Sequence, residues 1–236
     1  MKTMENSNRI WEIDAARGIG ILCVVVMHAF CFLNDFGPVP VVFSPFFYFI
    51  KQYAGSFFVF LSGMAVFFST KSVRRGIIVM LCGCLLTGLT YWLVLSGREP
   101  ETILIPWGVL HLIGFCMIIY PLLKKLPWWA LIAVGTGIVI FGYTYVLKQW
   151  SPLKYLFPLG IRHYWFYAWD YFPIFPQLGW FMLGNGLAGI IYKDRKSLLP
   201  WNTGNPLIRF ICWCGRSSLQ IYLIHMILFY IVAKQL

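Results

Sequence analysis

Charged residues are scarce in this chain, and acidic ones are the scarcest. Only 11% of the 236 residues are charged, with 8 Asp and Glu against 19 Lys and Arg, while 60% are hydrophobic. So few charged side chains cannot cover the surface of a soluble domain of ordinary composition, so that class is excluded. The mean hydropathy of +0.74 predicts an integral membrane protein instead.

Two further features are missing. No basic run is long enough to follow a nucleic acid, although the net charge is +11, so we expect no nucleic-acid partner. The N-terminus has no A-x-A cleavage motif after a short apolar core, so we expect no removable signal peptide. The first apolar segment is therefore predicted to stay in the protein.

The cysteines lack the spacing of a metal site. Cys82 and Cys84, like Cys212 and Cys214, would point about 200° apart on a helix, which is unsuited to joint ligation. Most of the cysteines lie within apolar segments. We interpret them as small packing residues and predict no metal.

The apolar segments predict about seven transmembrane helices in an all-α polytopic bundle. Each is close to the twenty residues that a membrane helix needs. They cover residues 17–34, 50–70, 75–95, 103–123, 127–147, 171–192 and 208–232. We expect a single domain over residues 1–236.

Basic residues indicate the orientation of this bundle. With the N-terminus inside, the inner loops hold more of them than the outer loops, as the positive-inside rule requires. The inner set is Lys2, Arg9, Lys71, Arg74, Arg75, Lys124, Lys125, Lys193, Arg195, Lys196 and Arg209. The outer set is Lys51, Arg98, Lys148, Lys154, Arg162 and Lys234. We therefore predict an inner N-terminus and an outer C-terminus.

The first predicted span carries one ionisable residue in its apolar interior, His28. His28 lies eleven positions after Arg17, about three turns plus 20°, so both side chains share a helix face with Asp14 nearby. His28 lies about 16 Å deeper than Arg17, near the bilayer midplane. The alternative is an anchoring Arg and a packing His. Ionisable residues within spans usually line a site or pathway, so we favour a functional His28.

The string from Asp14 through Arg17-Gly18, followed by His28, resembles the signature of the transmembrane acyltransferases. It is similar above all to the catalytic domain of heparan-alpha-glucosaminide N-acetyltransferase, in a short bacterial form. Bacterial O-acyltransferases of cell-surface sugars share the Arg and His spacing. In larger lysosomal-type relatives an Asn matches His28, and their catalytic His lies in a following loop without a counterpart here.

Later segments extend this resemblance. They are FFVFLSG in the second span, GVLHLIG with His111 in the fourth, DYFP with Asp170 before the sixth, and LIH with His225 in the last. Each has a simpler interpretation. His111 can be a buried structural residue, Asp170 can favour a helix N-terminus, and small residues can serve close helix packing. The resemblance raises the expectation of function for each.

The resemblance implies an enzyme that moves an acetyl group from cytoplasmic acetyl-CoA to an extracytoplasmic acceptor, an amino sugar or a surface glycan. The implied catalytic residues are His28, His111 and Asp170. The donor would contact Arg17, Ser62, Gly63, Arg74, Arg75 and Arg216. The acceptor would contact Asp35, Trp165, Trp169 and His225. The implied location is the inner membrane of a bacterium.

Several alternatives stay open. Arg74 and Arg75 equally satisfy the positive-inside rule, and the aromatic residues of the outer connection 148–170 equally form an interfacial belt. His28 could act as a general base or carry the acetyl group itself. A proton-linked transporter or a haem or quinone protein would also use intramembrane His residues, although no internal repeat indicates a transporter. A homo-oligomer is one alternative for the assembly.

Overall fold

A computed structural model describes residues 10–36, 44–199, 205–233 and 235. These residues form eight α-helices, joined by irregular segments and short 3-10 turns. The helices are α1 (Trp11–Phe36), α2 (Pro45–Val66), α3 (Ser72–Leu95), α4 (Val109–Leu123), α5 (Trp128–Thr144), α6 (Ile174–Ile191), α7 (Pro206–Arg216) and α8 (Ser218–Ala233). The described ranges contain no β-strand, only two isolated β-bridges. The predicted all-α class is confirmed.

Every predicted span overlaps a helix, or a helix pair in the case of the last. Among the described residues, five helices (α1, α2, α3, α5 and α6) are long and apolar enough to cross a membrane, or six spans if α7 and α8 count as one. Helix α4 is apolar but has only 15 residues. The chain is a polytopic helix bundle, as its composition predicted. Which side of the membrane each end faces stays a prediction.

The last predicted span, residues 208–232, is not one continuous helix. It is broken between α7 and α8, which are bent by 80°. Helix α7 begins at Pro206, behind an Asn205 side chain that accepts hydrogen bonds from the next two free backbone N–H groups. It exposes Arg209 and Arg216, so it is amphipathic where the other helices are apolar. The Asn-Pro start and the charged residues were signals for this break.

Two compact units make up the chain, residues 1–61 with 192–236 and residues 62–191. The first unit contains α1, most of α2, α7 and α8. The second contains the last turn of α2 and α3 to α6. The single domain over residues 1–236 stays a prediction.

In the first unit, α1 and α8 run parallel. The start of each helix meets at Arg17 and Ser218, and their later turns meet where the Phe32 and Phe229 rings lie 5.7 Å apart. Two parallel helices must cross a membrane in the same direction. If α8 spans the membrane, its end lies on the side opposite the start of α1, as the predicted inner N-terminus and outer C-terminus require.

Helix α7 crosses the beginning of α1 at a distance that two glycines permit. A Cβ atom on Gly18 would overlap the carbonyl oxygen of Ile211, and one on Gly215 would overlap that of Asp14. The close approach fixes the bend between α7 and α8 over the first turns of α1, since any side chain at these glycines would push the helices apart.

In the second unit the helices form two antiparallel pairs. Helix α3 packs on α4, where Gly76 approaches the Gly114 carbonyl near one end and Thr87 contacts Ile105 near the other. Helix α5 packs on α6 through Gly135 and Gly179 in the same way. Small residues at these contacts let apolar helices associate without a water-driven hydrophobic effect.

Candidate functional site

The face of α1 that carries Arg17 and His28 is covered by α8. The Arg17 guanidinium donates to the Ser218 hydroxyl at 2.7 Å. Nδ1 of His28 lies 2.7 Å from Nε2 of His225, within hydrogen-bond distance. Tyr222 stands edge-on to the His28 ring at 6.1 Å between centroids. Parallel packing thus places polar residues of α8 opposite the face of α1 that carries Arg17 and His28.

The hydrogen-bond partners assign the tautomers of the histidine pair, His28 and His225. Nδ1 of His225 lies 2.9 Å from the Ile221 carbonyl oxygen, which can only accept, so this nitrogen carries a proton. In neutral His225 the other nitrogen, Nε2, is then an acceptor. Nδ1 of His28 must donate to it, which leaves Nε2 of His28 with a lone pair. No hydrogen bond to that nitrogen is found in the part of the chain that the structure describes.

His111 lies in the second unit, in a different arrangement that we name the α4 cap: His111, Gly108, Thr87 and Asp170. Nδ1 of His111 accepts from the Gly108 N–H at 3.2 Å. The Thr87 hydroxyl donates to the Ile105 carbonyl at 2.6 Å, so its oxygen accepts from Nε2–H of His111 at 3.3 Å. Both ring nitrogens of neutral His111 are therefore occupied.

Asp170 also belongs to the α4 cap. Its carboxylate accepts from the Val109 N–H at 3.0 Å, at the N-terminus of α4. Sequence reasoning expected any capping by Asp170 at α6, the helix that it precedes. The connection instead pairs with the segment before α4, where Trp169 donates to Leu104 and Phe172 to Trp107 through their backbones. A carboxylate is favourable there, because helix N-termini carry free N–H groups and positive partial charge.

The Ser62-Gly63 motif contacts α6. A Cβ on Gly63 would overlap the Phe181 carbonyl oxygen, so only glycine permits this approach. The Asn185 side chain, which is buried, donates to the Gly63 carbonyl at 3.1 Å. The predicted face of small and polar residues on α6 therefore holds the end of α2. The particular role of Asn185 was missed, although a buried amide inside a span was a signal for it.

The predicted cofactor-binding arginines fall in both units. Arg17 is half-buried and tied to Ser218, and Arg216 is exposed two residues before Ser218. The first unit therefore has two guanidinium groups at its junction of α7 and α8. Arg74 and Arg75 are exposed in the first turn of α3, in the second unit.

The start of α1 holds a loop that sequence reasoning did not single out. One carboxylate oxygen of Glu12 accepts hydrogen bonds from the Ser197 hydroxyl and from the backbone N–H groups of Leu198 and Leu199, at 2.6 to 2.8 Å. The Trp11 indole donates to the Leu199 carbonyl. An acidic residue at the start of a membrane helix was the signal for these hydrogen bonds.

The predicted acceptor residues are placed unevenly. Trp165 is 84% exposed in the outer connection, whereas Trp169 is half-buried. The rest of that connection is ordered by stacked rings, such as Phe157 on Phe166 at 5.4 Å. Burial raises the pKa of the Tyr171 hydroxyl, which donates to the Phe157 carbonyl. The side chain of Asp35 lies outside the described residues.

Among the described residues, no group of three His, Cys, Asp or Glu side chains is arranged to hold a metal ion. The structure brings His28 and His225 together in one unit and His111 and Asp170 together in the other. The prediction that His111 joins the first pair stays a prediction.

Fold and site together define a polytopic membrane protein with paired ionisable residues inside its helices. A sequence model of the family described as heparan-alpha-glucosaminide N-acetyltransferase, catalytic, matches residues 9–227. The chain belongs to this family, and it is an integral membrane protein of a transmembrane acetyltransferase family. No curated protein and no solved structure matches the chain significantly.

Proposed function

We propose that this protein transfers an acetyl group from cytoplasmic acetyl-CoA to an acceptor on the outer side of a bacterial inner membrane, with His28 as the general base. Family membership supports the reaction class. The observation that carries the proposal is the lone pair on Nε2 of His28, in the interior of α1 and opposite α8. A general base needs a lone pair that no other group occupies.

The donor fits the junction of α7 and α8. Arg17 and Arg216 offer guanidinium groups, and phosphates are bound well by such groups because they donate two parallel hydrogen bonds. The Ser218 hydroxyl fixes the position of Arg17. A charged nucleotide cannot enter the bilayer core, so only the uncharged pantetheine arm would extend the roughly 16 Å from Arg17 toward His28. Contributions from Arg74, Arg75, Ser62 and Gly63 stay predictions.

In the reaction, Nε2 of His28 removes a proton from the acceptor hydroxyl or amine as the acceptor attacks the thioester carbonyl. The carbon–sulfur bond breaks, and His28 returns the proton to the departing sulfur. Acetyl ester or amide and free CoA result, so atoms and charge balance. The same lone pair could instead attack the thioester and carry the acetyl group, and both routes are compatible with the geometry.

His111 and Asp170 receive a structural role in this proposal. Their polar atoms organise the start of α4, and neither nitrogen of neutral His111 keeps a lone pair for the acceptor. The exposed ring of Trp165 offers a face on which a sugar could stack. An amino sugar or surface glycan is therefore the acceptor class that we propose.

The test is incubation of purified protein with radiolabelled acetyl-CoA and a panel of amino sugars and surface glycans. We expect label transfer to at least one acceptor, and its loss in His28→Ala. Absence of transfer to every acceptor, with acetyl-CoA binding intact, would contradict the proposed acceptor class. Absence of acetyl-CoA binding would contradict the donor.

A further inference from the structure

We propose that His225 is the positioning residue of His28: it fixes the tautomer and the ring plane that leave Nε2 of His28 unprotonated. This inference rests on the proposed function, since it explains how the general base is kept ready. The sequence interpretation placed His225 among the acceptor contacts. The geometry points to a role on the opposite side of the His28 ring.

The two imidazole rings are nearly coplanar. Their planes differ by 11°, with centroids 5.1 Å apart, and the nitrogens that face each other are 2.7 Å apart. A proton on Nδ1 of His28 therefore points at the in-plane lone pair of His225. This alignment is that of a strong hydrogen bond, and it holds the His28 ring against rotation.

His225 is itself held in place by α8. Its Nδ1–H donates to the carbonyl of Ile221, one turn earlier on the same helix. Tyr222 and Phe229 stand edge-on to its ring, at 5.4 Å and 5.5 Å between centroids. Turning the ring over would break the hydrogen bond to Ile221 and the one to His28 together. Nε2 of His225, which accepts the hydrogen bond from His28, is thus held in a fixed position.

The tautomer matters because imidazole in water prefers the proton on Nε2. A free His28 would therefore carry a proton on the nitrogen that the reaction needs as a base. The lone pair of His225 favours the proton on Nδ1 instead, because the hydrogen bond forms only with that tautomer. When His28 takes the acceptor proton, the same hydrogen bond stabilises the imidazolium.

A neutral partner also suits the site. A carboxylate in the position of His225 would introduce a buried charge into a membrane helix, at a large desolvation cost. Neutral imidazole accepts the hydrogen bond without that cost. A second histidine can therefore do in the bilayer what a carboxylate does in soluble enzymes that orient a histidine base.

The experiment compares two substitutions of similar size. His225→Gln keeps an oxygen acceptor at about the place of Nε2, whereas His225→Met removes the acceptor and fills the same volume. In histidine labelled with ¹⁵N, chemical shifts identify the protonated nitrogen of each ring. The His28 signals are assigned by their loss in His28→Asn, and His111 and His163 serve as internal references.

We expect Nδ1–H in His28 of the parent and of His225→Gln, and a shift toward Nε2–H in His225→Met. With an acceptor identified by the radiolabel test, His225→Met should lower kcat by about 10², and His225→Gln by less than about 10-fold, with little change in the KM for acetyl-CoA. Nε2–H in the parent, or an unchanged tautomer and kcat in His225→Met, would overturn the inference.

If His225→Met does not fold, His225→Asn, whose shorter side chain cannot reach His28, replaces it. A parent without transfer would refute the proposed function, while the ¹⁵N spectra would still decide the role of His225.

Discussion

The two histidine clusters of this protein differ in how many imidazole nitrogens are hydrogen-bonded. In the histidine pair, His225 uses both of its nitrogens and His28 uses one. In the α4 cap, His111 uses both nitrogens on groups close to it, the Gly108 N–H and the Thr87 hydroxyl. His28 and His111 both lie in apolar helices and look alike in sequence. The number of hydrogen bonds on the ring, rather than the presence of an ionisable residue in a span, separates the proposed base from the proposed structural residue.

Substitution of His28 is the strongest test of this difference between the two clusters. We expect His28→Ala to lower kcat by 10² to 10⁴, about 3 to 5 kcal/mol of activation free energy, because the base is lost. Acetyl-CoA binding should stay close to that of the parent, while the lost hydrogen bond to His225 should cost about 1 to 3 kcal/mol of the free energy of unfolding. A variant that binds acetyl-CoA and transfers within a few-fold of the parent rate would make His28 structural.

His111→Ala should lower stability with little effect on kcat. The change removes hydrogen bonds to Gly108 and Thr87 and leaves a cavity, so we expect a loss of about 1 to 3 kcal/mol in the free energy of unfolding. Unfolding can be followed by titration with a denaturing detergent. The kcat of the folded fraction should fall less than about 10-fold. A larger fall in kcat with stability unchanged would return His111 to the reaction.

Arg17→Ala tests the proposed acetyl-CoA site at the start of α1. Loss of one charge-assisted contact to a phosphate predicts about 10-fold weaker acetyl-CoA binding, or roughly 1.4 kcal/mol. Isothermal titration measures this directly. Ser218→Ala is the matched control, because it removes one hydrogen-bond partner of Arg17 and keeps the charge, and it should weaken binding less. Equal affinity in Arg17→Ala and the parent would remove Arg17 from the donor site.

Trp165→Ala tests the exposed ring of the outer connection as an acceptor contact. Its ring is 84% exposed, so we expect unchanged stability and a rise of a few-fold in the KM for the acceptor, the loss of one stacking contact. Tyr155→Ala, also exposed in the outer connection, is the control and should leave KM unchanged. Equal effects of the two changes would identify the aromatic residues as an interfacial belt.

Much of the fold follows from local patterns. Hydropathy predicted where α1 to α6 lie, and a period of 3.6 residues placed Arg17 and His28 on one face of α1. The same approach joined α7 and α8 into one span, because hydropathy averaged over twenty residues hides a short amphipathic helix. Helix α7 is recognised by its cap and its arginines, which are features of individual positions.

By itself, then, the sequence determined that this is a polytopic helical membrane protein with an ionisable stripe on its first helix. Only the tertiary structure decided which histidine keeps a lone pair. His28 meets a residue 197 positions away, and Asp170 caps a helix that begins 61 residues earlier. Hydropathy and helical period act between near neighbours in the chain. The proton on an imidazole is set by the one or two groups within hydrogen-bond distance, and helix packing chooses them from anywhere in the sequence.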